Sequence, residues 1–148
     1  MIRPARPDGW EQRLAAEILA AADRPWAWGS HDCATFAARC ARAVLNGPTV
    51  WDDLLGRHST AVGALRVLRA LGAARIDEAA DLRAARISPK AAQRGDLVAM
   101  PVIENGVAAP ALGICLGRDL ILAADPFGTM LFPMRRAVAA WPIDPKEG

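Results

Sequence analysis

A chain of 148 residues can bury about two-thirds of its unfolded surface, so we expect one compact domain spanning residues 1–148. Hydrophobic residues make up 53% of the chain and charged residues 23%, which excludes the class of intrinsically disordered proteins. Eighteen Lys and Arg against sixteen Asp and Glu give a formal net charge of +2 without long runs of one sign, so no nucleic-acid partner is expected.

The first half of the chain predicts helices, over about residues 8–90. Trp10, Leu14, Ile18 and Ala22 recur every four residues, which predicts a first helix that ends before Pro25. Residues 25–31 form an irregular connection. Asp32 is expected to cap a second helix, whose apolar residues are Cys33, Phe36, Ala37, Cys40 and Val44.

The signals that end this helix and begin the next are also clear. Asn-Gly-Pro at residues 46–48 predicts a stop, with Gly47 in the left-handed conformation. Ser59 or Thr60 then begins a third helix that carries Val62, Leu65, Leu68 and Leu71 and ends at Gly72. Residues 79–85 form a further turn or two.

From Gly95 to about residue 143 the pattern changes to short apolar runs separated by Gly, Pro, Asn and Asp. The runs at residues 96–100, 111–116, 120–122 and 130–132 predict a small antiparallel sheet, with a turn at residues 125–128. Helices followed by strands indicate an α+β fold, with N-terminal helices packed on a C-terminal antiparallel sheet.

Targeting and redox signals are few. No apolar run reaches the roughly 18 residues that cross a bilayer, and the first eight residues lack the apolar stretch of a signal peptide. We therefore expect synthesis in the bacterial cytoplasm and no membrane insertion. Three cysteines are an odd number, which argues against a disulfide framework and leaves at least one thiol outside any intramolecular pair.

The segment around Cys33 is the strongest candidate for chemistry. A cysteine in the first turn of a helix lies near unpaired backbone N–H groups and the positive end of the helix dipole, both of which favour the thiolate. This is how a sulfur nucleophile is prepared. The alternative is that Cys33 is a small apolar residue on the buried face of the helix, beside Phe36 and Cys40.

Three motifs in order resemble those of the NlpC-type cell-wall cysteine peptidases. Pro-Trp-Ala-Trp-Gly at residues 25–29, followed by Asp32 and Cys33, is similar to the segment that leads into their catalytic helix. Gly-Asp-Leu-Val at residues 95–98 resembles their next strand, and Ala-Leu-Gly-Ile-Cys-Leu-Gly at residues 111–117 resembles their histidine-bearing strand. The His-Asp-Cys form at residues 31–33 looks closer still to small proteins encoded among bacteriophage and prophage tail genes.

This resemblance implies a papain-like fold and a place in or near the tail tip, with other tail proteins as partners and peptidoglycan as a further candidate partner. It also implies Cys33 as nucleophile, with Trp26, Trp28, Gly29 and Thr35 lining a cleft. The chain departs from the family where chemistry is concerned, because the catalytic histidine position falls on Ala111. The next strand offers only Leu122, Ala123 and Ala124 where an orienting polar residue is needed.

Two histidines remain as candidate bases. His31 reaches the thiol only if the backbone folds back, and otherwise either orients the loop through a backbone hydrogen bond or lies in solvent. His58 precedes a helix start, where a cationic ring is disfavoured, so a surface or capping contact is expected. Asp32 is a further candidate for the site, which it would help to shape.

Other ligand sites are not indicated. His31, Cys33 and Cys40 lack a fourth zinc ligand, and the two cysteines are about 10 Å apart along one helix, so no metal is expected. Residues 125–128 are a turn rather than a calcium site. The five tryptophans either line a glycan groove or anchor the core. No nucleotide motif occurs, and no cofactor is expected.

Three functions follow from these observations. The first is a phage or prophage tail component with a degenerate papain-like fold and a structural or assembly role. The second is a divergent cysteine peptidase or amidase that cleaves peptidoglycan peptides, with Cys33 as nucleophile and His31, or a group supplied by a neighbouring subunit, as base. The third is a peptidoglycan-binding module without catalysis.

Overall fold

The computed structural model describes residues 3–55, 60–104, 106–117 and 119–145. In these residues, the α-helices are α1 (Trp10–Ala21), α2 (Cys33–Leu45), α3 (Ala61–Ala70) and α4 (Ile76–Asp81). The strands that follow are β1 (Leu97–Glu104), β2 (Val107–Gly117), β3 (Leu120–Asp125), β4 (Gly128–Pro133) and β5 (Ala139–Trp141). Ser59 and His58, assigned above to a helix start, lie outside the described residues.

The strands form one antiparallel sheet in the order β4-β3-β2-β1-β5. Helices followed by an antiparallel sheet confirm the α+β class. The predicted turn at residues 125–128 is also confirmed, since it connects β3 to β4 and the Asp125 carboxylate accepts a hydrogen bond from the Phe127 N–H at 2.9 Å. The register of β2 against β3 shifts between Cys115 and Gly117.

β1 and β2 extend further than predicted, and their pairing continues through two prolines that lie opposite each other. Pro101 pairs with Pro110, in a part of the hairpin beyond the residues that pair with β5 and β3. A proline cannot donate a ladder hydrogen bond, which normally ends a strand. The Pro101 carbonyl accepts a hydrogen bond from the Arg136 guanidinium at 3.2 Å, so it does not require a donor from a third strand at this position.

The first two helices form where they were predicted. Leu14 is fully buried on α1, with Trp10 and Ile18 packed against the core, although Ala21 rather than Ala22 completes the buried face. α2 begins and ends at the predicted residues. The left-handed residue that follows the helix was predicted to be Gly47, but it is Asn46, which caps the helix at φ 57°. A short polar side chain tolerates that conformation.

The middle of the chain differs more from the prediction. Thr60 caps α3, but Leu65 is about half exposed and does not join the core. α4 begins at Ile76, earlier than residue 79. A 3₁₀ helix at Val50–Leu54 was not predicted, and it buries Trp51 completely. β5 was also missed, because three residues give no readable alternation.

The sheet is buried on both faces. The helix-side face packs against α2 and α4 and carries buried residues from four strands: Leu97, Ala99, Leu112, Ile114, Leu122, Ala139 and Trp141. The far face packs against residues of the connecting segments and carries Val98, Met100, Cys115, Ile121, Ala123 and Ala140. Within the described ranges, no helix has the length and apolar character required to cross a membrane.

Candidate functional site

The start of α2 is organised by Asp32. One carboxylate oxygen accepts a hydrogen bond from the Thr35 N–H and the other from the Gly29 N–H, both at 2.8 Å. The side chain therefore caps the helix and fixes the preceding loop, in which Gly29 adopts φ 81°. Asp32 is buried, and both of these contacts are to backbone, so its observed role is to shape the loop.

Cys33 is the first residue of α2 and is partly exposed. The alternative that Cys33 lies on the buried face of the helix is therefore wrong. The other residues predicted for that face are fully buried: Phe36, Ala37, Cys40 and Val44. The thiol lies at the positive end of a 13-residue helix, where the dipole favours an anion.

The other two cysteines lie in different surroundings. Cys40 is fully buried in α2, and burial raises the pKa of its thiol well above the ordinary value. Burial also raises the pKa of the Cys115 thiol, which lies in β2 on the far face. Both are core cysteines, and the three thiols form no disulfide with one another. Cys33 is the candidate for reactivity by position.

His31 is fully buried and is held from one side. Its Nε2 lies 2.6 Å from the Gly128 carbonyl oxygen, and a carbonyl only accepts, so Nε2 carries the proton and donates. The ring also packs edge-on against Phe36, with centroids 6.0 Å apart. His31 therefore ties the loop before α2 to the start of β4, which is the loop-orienting role considered from the sequence.

The second nitrogen of this imidazole, Nδ1, is buried and has no hydrogen-bond partner in the described part of the chain. Since Nε2 binds Gly128, neither ring nitrogen is hydrogen-bonded to the Cys33 thiol. Thr35 shows the same feature, because its hydroxyl oxygen is buried without a partner. Two unsatisfied polar atoms thus lie within two residues of Cys33.

The residues expected to line a cleft are only partly brought together. Trp26 and Trp28 pack edge-to-face, with centroids 5.4 Å apart, and both are partly exposed. The Trp26 N–H donates to the Pro126 carbonyl at 3.2 Å, which joins this loop to the β3–β4 turn. Thr35 is buried and does not line an open surface.

Two surface cavities, of about 370 and 580 Å³, lie elsewhere. The first is lined by Arg6, Trp10 and Arg94, the second by Leu45, Pro48 and Val50, and both include Pro4 and Asp144. Leu45 ends α2, so the second cavity lies at the opposite end of this helix from Cys33, roughly 20 Å along its axis.

The strand position aligned with a catalytic histidine faces away from α2. Ala111 pairs with Met100, whose side chain belongs to the far face, and paired residues of antiparallel strands share a face. The adjacent residue, Leu112, is the one that faces the helices, and it has no titratable group. Leu122 and Ala124 on β3 also lie on the helix-side face and provide no polar side chain to orient an imidazole.

The remaining candidates lie in the core. Among the described residues, no group of three His, Cys, Asp or Glu is arranged to hold a metal ion. Trp51 and Trp141 are fully buried, and their indole N–H groups donate to the Ile143 carbonyl and to Asp81 at 2.9 and 3.0 Å. These two tryptophans are core anchors rather than parts of a glycan groove.

The sequence analysis missed a buried group that we call the arginine–aspartate cluster, formed by Arg3, Arg6, Asp96 and Asp144. Asp96 accepts five hydrogen bonds, two from Arg3 and one each from Arg6, the Gln93 N–H and the Ile143 N–H, at 2.6–3.2 Å. Both arginines also pair with Asp144. The sequence signal for this cluster was Asp96, an acidic residue at the start of a buried strand, because a buried carboxylate requires cationic partners.

The comparisons with known proteins add a family but no activity. A comparison with curated proteins gives no match to this chain. The family model described as "Domain of unknown function (DUF6950)" matches residues 5–143, which include the loop before α2 and the whole of the sheet. The chain therefore belongs to the DUF6950 family.

Proposed function

We propose that this chain is a non-catalytic module with a papain-like fold that acts as a structural component of a bacteriophage or prophage tail tip. The observation that carries the proposal is the state of His31, which is fully buried and committed to the Gly128 carbonyl. A cysteine hydrolase of this kind needs an imidazole on the thiol and a polar group to orient it. His31 serves as a link between two loops instead.

The positions around the thiol agree with a site that has lost its base. Ala111 replaces the histidine that the resemblance requires and is directed to the far face, while Leu112 takes the helix-side face. What remains of the motif is structural, because Asp32 caps α2 and holds Gly29.

The arrangement of the motifs supports the papain-like part of the proposal. The strand with Gly-Asp-Leu-Val pairs directly with the strand with Ala-Leu-Gly-Ile, with Leu97 opposite Ile114. Both residues lie in the same buried cluster as Phe36 and Ala37 of α2. The cysteine-bearing helix thus packs on the two strands that carry the other motifs.

Exposed apolar side chains at the strand connections support a role in protein contact. Ile103 and Val107 flank the β1–β2 connection and are 72% and 65% exposed, and Phe127 in the β3–β4 turn is 87% exposed. Exposed apolar surface of this kind offers contact area to another protein. Other tail proteins are the partners we propose for them.

Incubation with purified peptidoglycan stem peptides under reducing conditions tests the catalytic half of the proposal. We expect no cleavage by the wild-type protein, and the same result for Cys33→Ala and His58→Ala. Cleavage by the wild-type protein that is lost in Cys33→Ala overturns the proposal. His58→Ala then determines whether the second histidine serves as the base.

Assembly of tails tests the structural half. In a phage that encodes the chain, Cys33→Ala is expected to give normal particles, whereas Phe127→Asp and Ile103→Asp are expected to block tail assembly. Leu19→Asp, at an exposed apolar residue of α1, is the matched control. Normal particles from both aspartate variants contradict a role of these side chains in tail contacts.

A cysteine hydrolase is the second candidate, and one observation favours it. Cys33 is partly exposed at a helix N-terminus, two residues after His31, whose buried Nδ1 has no hydrogen-bond partner among the described residues. If His31 turned toward the thiol, this nitrogen would become the base. The stem-peptide assay with Cys33→Ala distinguishes this candidate from the structural one.

A further inference from the structure

The two edges of the sheet are protected to different degrees. β5 is only three residues long, and the Ile87 N–H donates to the Ala140 carbonyl at 2.9 Å on its outer side. β4 is six residues long, and within the described ranges no backbone hydrogen bond other than those to β3 reaches residues 129–132. The β4 edge is therefore the open edge of the sheet.

β4 lacks the features that normally prevent an edge from pairing. Its sequence, Gly-Thr-Met-Leu-Phe-Pro, contains no charged residue, and Met130 and Leu131 are about half exposed, one on each face. Natural edge strands are usually protected by lysines, bulges or a covering segment, because an exposed apolar edge pairs with another strand. Only Pro133, at the end of β4, limits its length.

The charges at the two ends of β4 are of opposite sign. Asp23 lies beside its first residue, since the Asp23 backbone nitrogen is 3.2 Å from the position that a Gly128 Cβ would take, and Asp125 precedes the turn. Arg135 follows its last residue by two positions and is exposed, whereas the guanidinium of Arg136 is held by the Pro101 carbonyl of β1. If two copies of β4 paired antiparallel, the acidic end of each would lie against the basic end of the other.

We propose that the occupant of this edge is a second copy of the chain, paired through β4 in antiparallel register about a twofold axis. The uncharged centre brings no like charges together, and the charged ends are complementary only in the antiparallel direction. Two five-stranded sheets then form one continuous sheet of ten strands. This interface is isologous, so it closes at a dimer.

Sedimentation equilibrium over a range of protein concentrations tests the proposal directly. The wild-type protein is expected to dimerise, and Leu131→Lys is expected to abolish the dimer by placing two lysines close to the twofold axis. Leu82→Lys is the matched control, because Leu82 follows α4 and is as exposed as Leu131, at 52%, so the dimer should stay intact. A wild-type protein that stays monomeric at every concentration overturns the proposal, even if it captures an extended peptide. A dimer that persists in the Leu131→Lys variant also overturns the proposal.

A charge exchange tests the direction of pairing without altering the strand. Asp23→Lys and Arg135→Glu each place like charges opposite one another and are expected to weaken the dimer by about tenfold at low salt. The double variant restores an opposite-charge pair and is expected to recover most of that loss. If the dimer of the double variant is no more stable than the dimers of the single variants, antiparallel pairing through β4 is wrong.

Discussion

Asp96 and His31 are both fully buried polar residues at the start of motif-bearing elements, yet their surroundings differ. Asp96 accepts five hydrogen bonds, which connect β1 to the N-terminal arm and to residue 143. His31 makes one, and its second nitrogen is left without a partner. The Asp96 carboxylate is thus fully hydrogen-bonded, whereas the loop before α2 contains a buried polar nitrogen that no group in the described part of the chain binds.

The difference matters energetically because an unsatisfied buried polar atom loses its hydration without compensation. Removing one partner from a satisfied network is costly, whereas removing an atom that already lacks a partner is not. Variants in the two regions should therefore behave in opposite ways, and this contrast can be measured.

The largest effect is expected for Asp96→Asn. The amide keeps the shape of the carboxylate but turns one acceptor into a donor that faces the Arg3 guanidinium or the Gln93 N–H, and it leaves Asp144 as the carboxylate that remains paired with Arg3. Breaking a buried ion pair in this way costs about 3–5 kcal/mol. Urea denaturation should show this loss in the free energy of unfolding, and a loss below ~1 kcal/mol would mean that the cluster is not a stabilising unit.

Asp52→Asn is the control for an exposed ion pair. Asp52 binds the Arg42 guanidinium through both oxygens at 2.9 Å, and this contact lowers the pKa of the Asp52 carboxyl. The substitution should cost at most about 1 kcal/mol at neutral pH. Because the folded-state pKa is the lower one, the contribution of Asp52 is present above the unfolded-state pKa and is lost as pH falls through the folded value. The wild type and the variant should therefore converge in acid.

Gly128→Ala probes the close approach of the backbone at the His31 contact. Gly128 adopts φ 137°, and a Cβ there would overlap the carbonyl group of Ala22. Backbone strain and overlap together should cost about 2–4 kcal/mol. Gly106→Ala is the matched control, since Gly106 also has a positive φ, 77°, but no atom lies within 4 Å of the added Cβ. Thermal melts that give equal losses for both variants would argue against a tight contact at Gly128.

The contrast between the two regions also explains what the sequence could predict. The N-cap at Asp32 and both ends of α2 follow from local rules, so they were predicted to the residue. The partners of Asp96 are 90 or more residues away at Arg3 and Arg6, and no local pattern connects them. The same holds for His31, whose partner Gly128 is 97 residues away.

The ends of β1 and β2 were predicted wrongly for a related reason. Pro101 and Pro110 are strand breakers in a sequence, but each lies beyond the end of the neighbouring strand on its outer side, so neither removes a hydrogen bond that another strand requires. The alignment that placed the catalytic histidine position on Ala111 could not show that this residue lies on the far face. That result depends on the pairing register.

His31→Phe tests the link between the loop and β4. Phenylalanine keeps a ring of similar size against Phe36 but removes the donor to the Gly128 carbonyl, which is then buried without a partner. The cost should be about 1–3 kcal/mol, because the orphaned nitrogen is removed at the same time. Chemical denaturation measures it, and an unchanged stability would contradict a structural role for His31 and favour the hydrolase candidate.

The smallest effect is expected for Thr35→Val, which removes a buried hydroxyl that has no hydrogen-bond partner. Valine has nearly the same shape and a similar helix propensity, so the free energy of unfolding should change by less than about 0.5 kcal/mol, or should increase. Thr49→Val is the comparison, because the Thr49 hydroxyl caps a 3₁₀ helix by accepting from the Trp51 N–H at 3.0 Å, and its removal should cost about 0.5–2 kcal/mol. If Thr35→Val is the more costly of the two, the Thr35 hydroxyl is hydrogen-bonded in solution, and the contrast between the surroundings of Cys33 and those of the Asp96 carboxylate is wrong.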